Sequence, residues 1–173
     1  MGRWTGRMGV VVCALVVGVM MLPAPARAWQ AFAKVTTAVG VIAGDVTLKG
    51  FENQIAVLGL GNQLNVTVDA IGGTSKFKTG EFQIAKTFDI ATPKLITAMA
   101  TNTLLTKVEI TIFKQTPTGS LPGFKITLTN ATITNLDTTY NPGTDPAAVE
   151  RIEMVYQKLT WVDLITGATG STP

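Results

Sequence analysis

The acidic side chains Asp137, Asp145, Glu150 and Glu153 are the only group in this sequence whose spacing suits acid–base chemistry. Such chemistry needs two carboxyl groups held about 5–10 Å apart. All four fall in or beside a turn-rich stretch, NPGTDP at residues 141–146, and read as solvated loop charge. Little else is available for catalysis. The chain has no histidine, two tyrosines and one cysteine, Cys13, which lies inside an N-terminal apolar run. Beyond that run there is no thiolate nucleophile, no imidazole base and no imidazole metal ligand. The expectation is a protein with no catalytic residues, no bound cofactor and no metal. Gly59-Leu60-Gly61 forms a GxG, but it lacks a third glycine and opens no helix. It reads as a bulge or a close backbone approach, not as a phosphate cradle. Lys76-Phe77-Lys78 places two cations around an aromatic ring, a pattern seen on single-stranded nucleic acid binders. One such triplet on a neutral domain is better read as a solvated loop or as a loop that docks on a neighbouring subunit.

The neutrality follows from the N-terminus. Arg3 and Arg7 precede an apolar run at residues 9–22, and Ala26-Arg27-Ala28 follows with small residues at Ala26 and Ala28. That is the pattern of a secretory signal peptide cleaved after Ala28, and the run is short of the roughly 20 residues that span a bilayer. Residues 1–28 are therefore expected to be the signal and residues 29–173 a single domain, secreted or periplasmic by a Sec-type route. Three of the chain's 14 basic residues (Arg3, Arg7, Arg27) leave with the signal, so 11 face 11 acidic ones. This removes the electrostatic basis for nucleic-acid binding, and no membrane contact is expected after cleavage. With no cysteine left, stability must come from packing and strand pairing.

The elements that position these residues centre on 81–114. Phe82, Ile84, Phe88 and Ile90 alternate with Glu81, Gln83, Thr87 and Asp89, a half-buried strand in which Lys86 breaks the apolar face. That lysine lies at an edge, meets a carboxylate or snorkels. Thr92-Pro93 starts a helix, with the hydroxyl as cap and proline in the first turn. Leu95, Ile96, Met99 and Ala100 share one helical face, and Asn102 suits a left-handed C-terminus. Val108, Ile110 and Ile112 then line a second strand. Around this unit, alternation predicts strands at 31–36, 54–60, 64–70, 124–128 and 151–164. The apolar phase shifts by Ile133, which places a bulge or bend near residues 130–132. Residues 71–80 and 115–123 read as turn-rich connections. The strand at 54–60 (QIAVLGL) is apolar on both faces. On the closing strand Ile152, Met154 and Tyr156 oppose Val155, Leu159 and Trp161. The fold class is mainly β: an antiparallel β-barrel or sandwich of about seven strands with one short flanking α-helix.

Three stretches resemble the Hcp family, the haemolysin-coregulated tube proteins of type VI secretion. FQIAKTFDIATPKLITAMATNTLLTKVEI is similar to the family's strand–helix–strand centre, through Phe88, Thr92, Pro93, Lys94, Leu95, Ala98 and Ala100. FKITLTNATITNL resembles its next strand. ERIEMVYQKLTWVDL resembles its closing strand through Tyr156, Lys158, Leu159 and Trp161. The resemblance spans nearly the whole of residues 29–173. It implies a barrel that assembles into homohexameric rings, stacks them into a hollow tube fired from a contractile sheath, and carries small secreted effectors in the lumen without catalysis. The loop at 71–80, with Lys76, Phe77 and Lys78, lies where the family carries an extended loop that touches adjacent subunits. The leader is a departure, since the family's tube proteins are loaded from the cytoplasm without a signal peptide. The alternative reading is a secreted monomeric β-barrel that binds a small ligand or a surface glycan.

Overall fold

The computed structural model describes residues 29–67, 76–117, 119–144, 146 and 148–173. These form eight strands and one helix: β1 (Trp29–Thr37), β2 (Gly40–Ile42), β3 (Ile55–Thr67), β4 (Lys76–Thr87), α1 (Thr92–Ala100), β5 (Leu105–Thr116), β6 (Gly119–Tyr140), β7 (Ala148–Asp163) and β8 (Thr169–Ser171). The strands follow the order β2-β1-β3-β4-β7-β6-β5, and β1 also pairs with β5. That last pairing closes six strands into an antiparallel barrel and removes its free edges. The short β2 and β8 extend β1 and β7.

The barrel is filled by alternate side chains from every wall. Ala33 and Val35 of β1, Ile55 of β3, Phe82 and Ile84 of β4, Val108 and Ile110 of β5, Ile126 and Leu128 of β6, and Ile152 and Met154 of β7 are all buried in one cluster. Two of the long strands change phase together. Asn130 takes a left-handed φ of 51° and its amide donates to Gln157 Oε1 at 2.7 Å. Leu128 and Ala131 are therefore both inward on β6, as are Leu159 and Tyr156 on β7. The 130–132 window thus holds a bend at Asn130 without a change of register, and the bulge itself lies between Ile133 and Asn135. The matching bend on β7 turns Leu159 into the core beside Ile152, Met154 and Tyr156, not onto the opposite face.

A second, smaller apolar layer lies outside the wall. Phe51, from the loop at 43–54, packs its ring 5.5 Å from Phe32 and 4.8 Å from Phe113. The loop is held by Gly44 N–H to Asn53 O (2.8 Å) and Asn53 N–H to Val46 O (2.8 Å). Gly44 is required there, because a Cβ would stand 2.4 Å from Gln54 O.

Several local expectations change. β3 runs unbroken from Ile55 to Thr67, with register shifts near Leu58 and Gln63, where two strands were expected. Residues 115–123 are mostly ladder, since β5 and β6 form a hairpin that pairs Thr116 with Gly119. Lys76, Phe77 and Lys78 open β4 opposite Thr67, Val66 and Asn65, so they are strand, not loop. The remainder of that connection, residues 68–75, lies outside the described residues. β4 stops at Thr87, which leaves Phe88 and Ile90 exposed (46% and 60%) instead of inward. The helix begins with Ala91 as its capping position, and Thr92 is its first residue. Its buried face is Ala91, Leu95 and Ala98, with Met99 partly buried; Ile96 points outward. Ala91 is not in the helix's apolar pattern, and it shifts the buried stripe by one residue. The C-terminus closes as expected. Asn102 has φ 50°, and Thr103 N–H reaches back to Ala98 O at 2.8 Å, a Schellman closure.

Leu95 is 2% exposed and packs α1 onto the barrel at β6. Replacing it with alanine is expected to lower unfolding free energy by about 2–5 kcal/mol in a denaturant titration; an unchanged midpoint would mean that α1 carries no core load.

A buried ion cluster and the candidate assembly surface

Lys86 interrupts the inward face of β4, and it meets carboxylates. In the ladder it stands directly opposite Glu150 of β7, and both side chains are fully buried. The ammonium donates to Glu150 Oε2, to Asp89 Oδ1 at 2.9 Å, to Thr87 O at 2.7 Å and to Thr92 Oγ1 at 3.0 Å. Thr92 in turn donates to Glu150 Oε2 at 2.8 Å and accepts the Asp89 N–H at 3.2 Å. Asp89 Oδ1 also accepts the Ala91 N–H at 2.9 Å. Glu150 Oε1 is buried without a hydrogen-bond partner. One cation thus ties together the end of β4, the start of α1 and the start of β7.

This corrects the reading of Glu150 as solvated loop charge. It belongs to a strand and is sealed from water, because β7 begins before it at Ala148. Of the other carboxylates expected near it, Asp137 is exposed on β6 and Glu153 points to the outer wall of β7, while Asp145 lies outside the described residues. Among the described residues, Asp137, Glu150 and Glu153 form no shared acid–base pair. The signal that could have found the cluster was Lys86 itself. A cation amid Phe82 and Ile84 requires a buried carboxylate partner.

The family-type residues divide between core and surface. Thr92 and Leu95 face inward, whereas Pro93 and Lys94 are exposed. Leu159 is fully buried, Trp161 packs against the core, and Lys158 is exposed. The Tyr156 hydroxyl donates to Asn62 Oδ1 at 3.2 Å, and burial raises its pKa in spite of that bond. Ala26 and Ala28 lie outside the described residues.

The outer surface keeps unusual apolar exposure. Val39 is 97% and Val41 46% exposed at the β1–β2 turn, and with Lys94 and Thr97 they line a cavity of about 360 Å³ beside the helix. Leu58 and Leu64 of β3 are 40% and 46% exposed. The β3–β4 ladder continues to Thr67 and Lys76, past Phe82, where pairing of β4 with β7 ends. This two-stranded arm extends beyond the closed wall.

The sequence pattern of the family described as "Type VI secretion system effector, Hcp" matches residues 32–162. The chain belongs to the Hcp family. Among its Hcp relatives, the "Major exported protein" of Pseudomonas aeruginosa is 28% identical over 136 residues, covering 74% of this chain and 79% of that one. The barrel is similar to a crystal structure of an Hcp protein (TM-score 0.75, 23% identity, 83% of this chain and 98% of that one). It is also similar to Hcp1 of Escherichia coli EAEC 042 (TM-score 0.73, 22% identity, 83% and 97%). The secreted protein Hcp3 of Pseudomonas aeruginosa superposes with a TM-score of 0.70 at 24% identity, over 84% and 97%. At these identities the structures speak for the fold, and the family match carries the function: Hcp proteins are type VI secretion tube subunits, a structural family.

Removing the Lys86 charge leaves two buried carboxylates uncompensated. Lys86→Met is expected to destabilise by about 3–5 kcal/mol in urea, and adding Glu150→Met to recover part of that loss. Tyr156 supplies a pH test. Its folded pKa is raised, so the folded state holds its proton more tightly than the unfolded state. The stability this contributes is full below the unfolded value of about 10 and is lost as pH rises through the folded value. Tyr156→Phe should flatten the alkaline limb of a stability–pH curve above about pH 10.

Proposed function

We propose that this chain is an exported ring and tube subunit: six copies close into a ring, rings stack, and the lumen carries small secreted effectors. In this reading residues 1–28 are a Sec-type signal cleaved after Ala28, and residues 29–173 are the assembling domain, acting in the periplasm or outside the cell. The observation that carries it is Hcp membership across residues 32–162. The physical support is a barrel whose interior is full while apolar side chains remain outside. Among the described residues nothing covers Val39, Val41, Leu58 and Leu64, and uncovered apolar surface of this kind marks contact sites. The arm that bears Lys76, Phe77 and Lys78 is the proposed reach to an adjacent subunit. Thr92, Pro93, Lys94 and Leu95, with Tyr156, Lys158, Leu159 and Trp161, act as the fold's scaffold in this proposal and not as a binding site. A packed interior, with Ile110, Ile126 and Leu128 fully buried, speaks against a monomeric barrel that holds a ligand inside.

Negative-stain electron microscopy together with light scattering tests the proposal. Annular particles with the mass of about six chains are the expected result. A single-chain mass at every concentration would overturn it. The exported protein should begin at Trp29 on N-terminal sequencing; retention of Arg3 and Arg7 would overturn the signal assignment.

A further inference from the structure

Ladder register assigns each outward charge to a wall of the barrel. On β5, Val108 and Ile110 are buried, so Lys107 and Glu109 face out. Lys34 of β1 stands opposite Glu109. Thr129 of β6 stands opposite Lys107 on one side and Lys158 on the other, and Lys125 stands opposite Thr111. This wall therefore carries Lys34, Lys107, Lys125 and Lys158 against Glu109. Glu109 takes Lys125 at 2.8 Å and Lys107 at 3.2 Å. Burial alone would raise its pKa, but the hydrogen bonds and charges of those two lysines outweigh burial and lower it. Lys34 and Lys158 have no carboxylate within salt-bridge distance among the described residues. A cavity of about 370 Å³ opens in the wall between Lys34, Lys125, Phe51 and Leu164.

Among the described side chains, the wall centred on β4 carries Glu81, Glu153 and Asp137 against Arg151. Phe82 and Ile84 are buried, which turns Glu81 and Gln83 outward. Glu153 stands beside Gln83, and Asp137 beside Arg151. Neutral groups hold the carboxylates. Gln83 Nε2 donates to Glu153 Oε1 at 3.0 Å, Asn135 Nδ2 to Glu153 Oε2 at 3.3 Å and the Thr134 hydroxyl to Glu81 Oε1 at 3.1 Å. Each is oriented without being neutralised. Beside them Gly59 and Gly61 face Ala85 and Gln83 on the ladder, and a Cβ on either would meet nothing nearer than 3.9 Å. Neither has a positive φ. The chain's own fold gives no reason for that bare strip.

In the six-strand circuit β1-β3-β4-β7-β6-β5, strands β4 and β5 are three steps apart, on opposite sides. We propose that the acidic wall around Glu81 and Glu153 docks on the basic wall around Lys34 and Lys125 of the next copy of this chain. Two different, complementary patches on opposite sides make a head-to-tail contact, the kind that closes into a ring when the rotation permits. Charge complementarity sets the orientation and rejects the reversed docking, in which like walls would meet. This pairing rests on the self-association proposed above and names the surfaces that perform it.

Light scattering on the wild type, on Lys34→Glu/Lys125→Glu and on Glu81→Lys/Glu153→Lys tests the pairing. Each variant carries one sign on both walls. Alone, each is expected to run as a single chain, with self-affinity reduced roughly a hundredfold or more. Mixed in equal amounts they are expected to assemble again, with acidic-walled and basic-walled copies alternating. Circular dichroism should match the wild type, since all four side chains lie on the outside, while the melting temperature of Lys34→Glu/Lys125→Glu should fall modestly because Glu109 loses its Lys125 partner. Should a variant misfold, the wild type decides by salt: dissociation between about 0.05 and 0.5 M NaCl supports the pairing, and an assembly indifferent to salt overturns it. A wild-type ring with both variants still assembled overturns this pairing and leaves self-association standing. A wild type that is monomeric throughout overturns both.

Discussion

A lysine ammonium stripped of water has to find its compensation inside the protein, and in this barrel Lys86 finds it in three elements at once. The Thr87 carbonyl, Asp89 and Thr92 follow within 6 residues of Lys86, Glu150 lies 64 residues on, and all four meet only when β4, α1 and β7 are correctly placed. A buried pair of this kind adds little net stability over an apolar replacement, because the Coulomb gain roughly offsets desolvation. What it does is penalise any arrangement that separates the partners. It fixes where the helix leaves the sheet, and hence which helical face meets the barrel. The helix has no side-chain cap on its first turn, so this anchoring stands in for one.

Barrel closure produces the second constraint. When β1 pairs with both β3 and β5, the core is satisfied from within and no strand edge remains along the main wall. Association must then use the outer faces and the projecting β3–β4 arm, not edge-to-edge strand addition. The outer faces are suited to it. They carry exposed Leu58, Leu64, Val39 and Val41, together with one wall bearing Lys34 and Lys125 and another bearing Glu81 and Glu153. Tube membership and this surface agree, because a ring subunit needs two unlike patches and a self-sufficient core.

Much of the architecture was legible in advance. Period-two alternation located the barrel strands. Pro93 and Leu95 marked the helix, and the apolar phase shift near Ile133 reflects the bend at Asn130, while the bulge lies between Ile133 and Asn135. The misplacements have local causes. Alternation through Phe88 and Ile90 is a pattern that the chain does not use, because β4 ends when Thr87 and Asp89 turn to serve Lys86. The Gly- and Pro-rich stretch at 115–123 looked like a loop, yet a tight hairpin needs only a short turn and pairs the rest. Of the candidate site, the lone Lys86 was conspicuous but its partner was not. In the sequence Glu150 groups with the nearby loop carboxylates, since strand boundaries are poorly marked beside Pro146.

The sequence by itself determined the class: an antiparallel β domain with one helix, with no histidine and a single cysteine, Cys13, and with the Hcp pattern along its length. These are properties of composition and local periodicity, which each segment carries alone. Tertiary structure alone decided that β1 closes against β5, that Lys86 lies opposite Glu150, and that Lys34, Lys107 and Lys125 gather around Glu109 while Glu81 and Glu153 lie on the wall centred on β4. Each depends on register between strands far apart in the chain, and a one-residue slip would send every side chain to the other face.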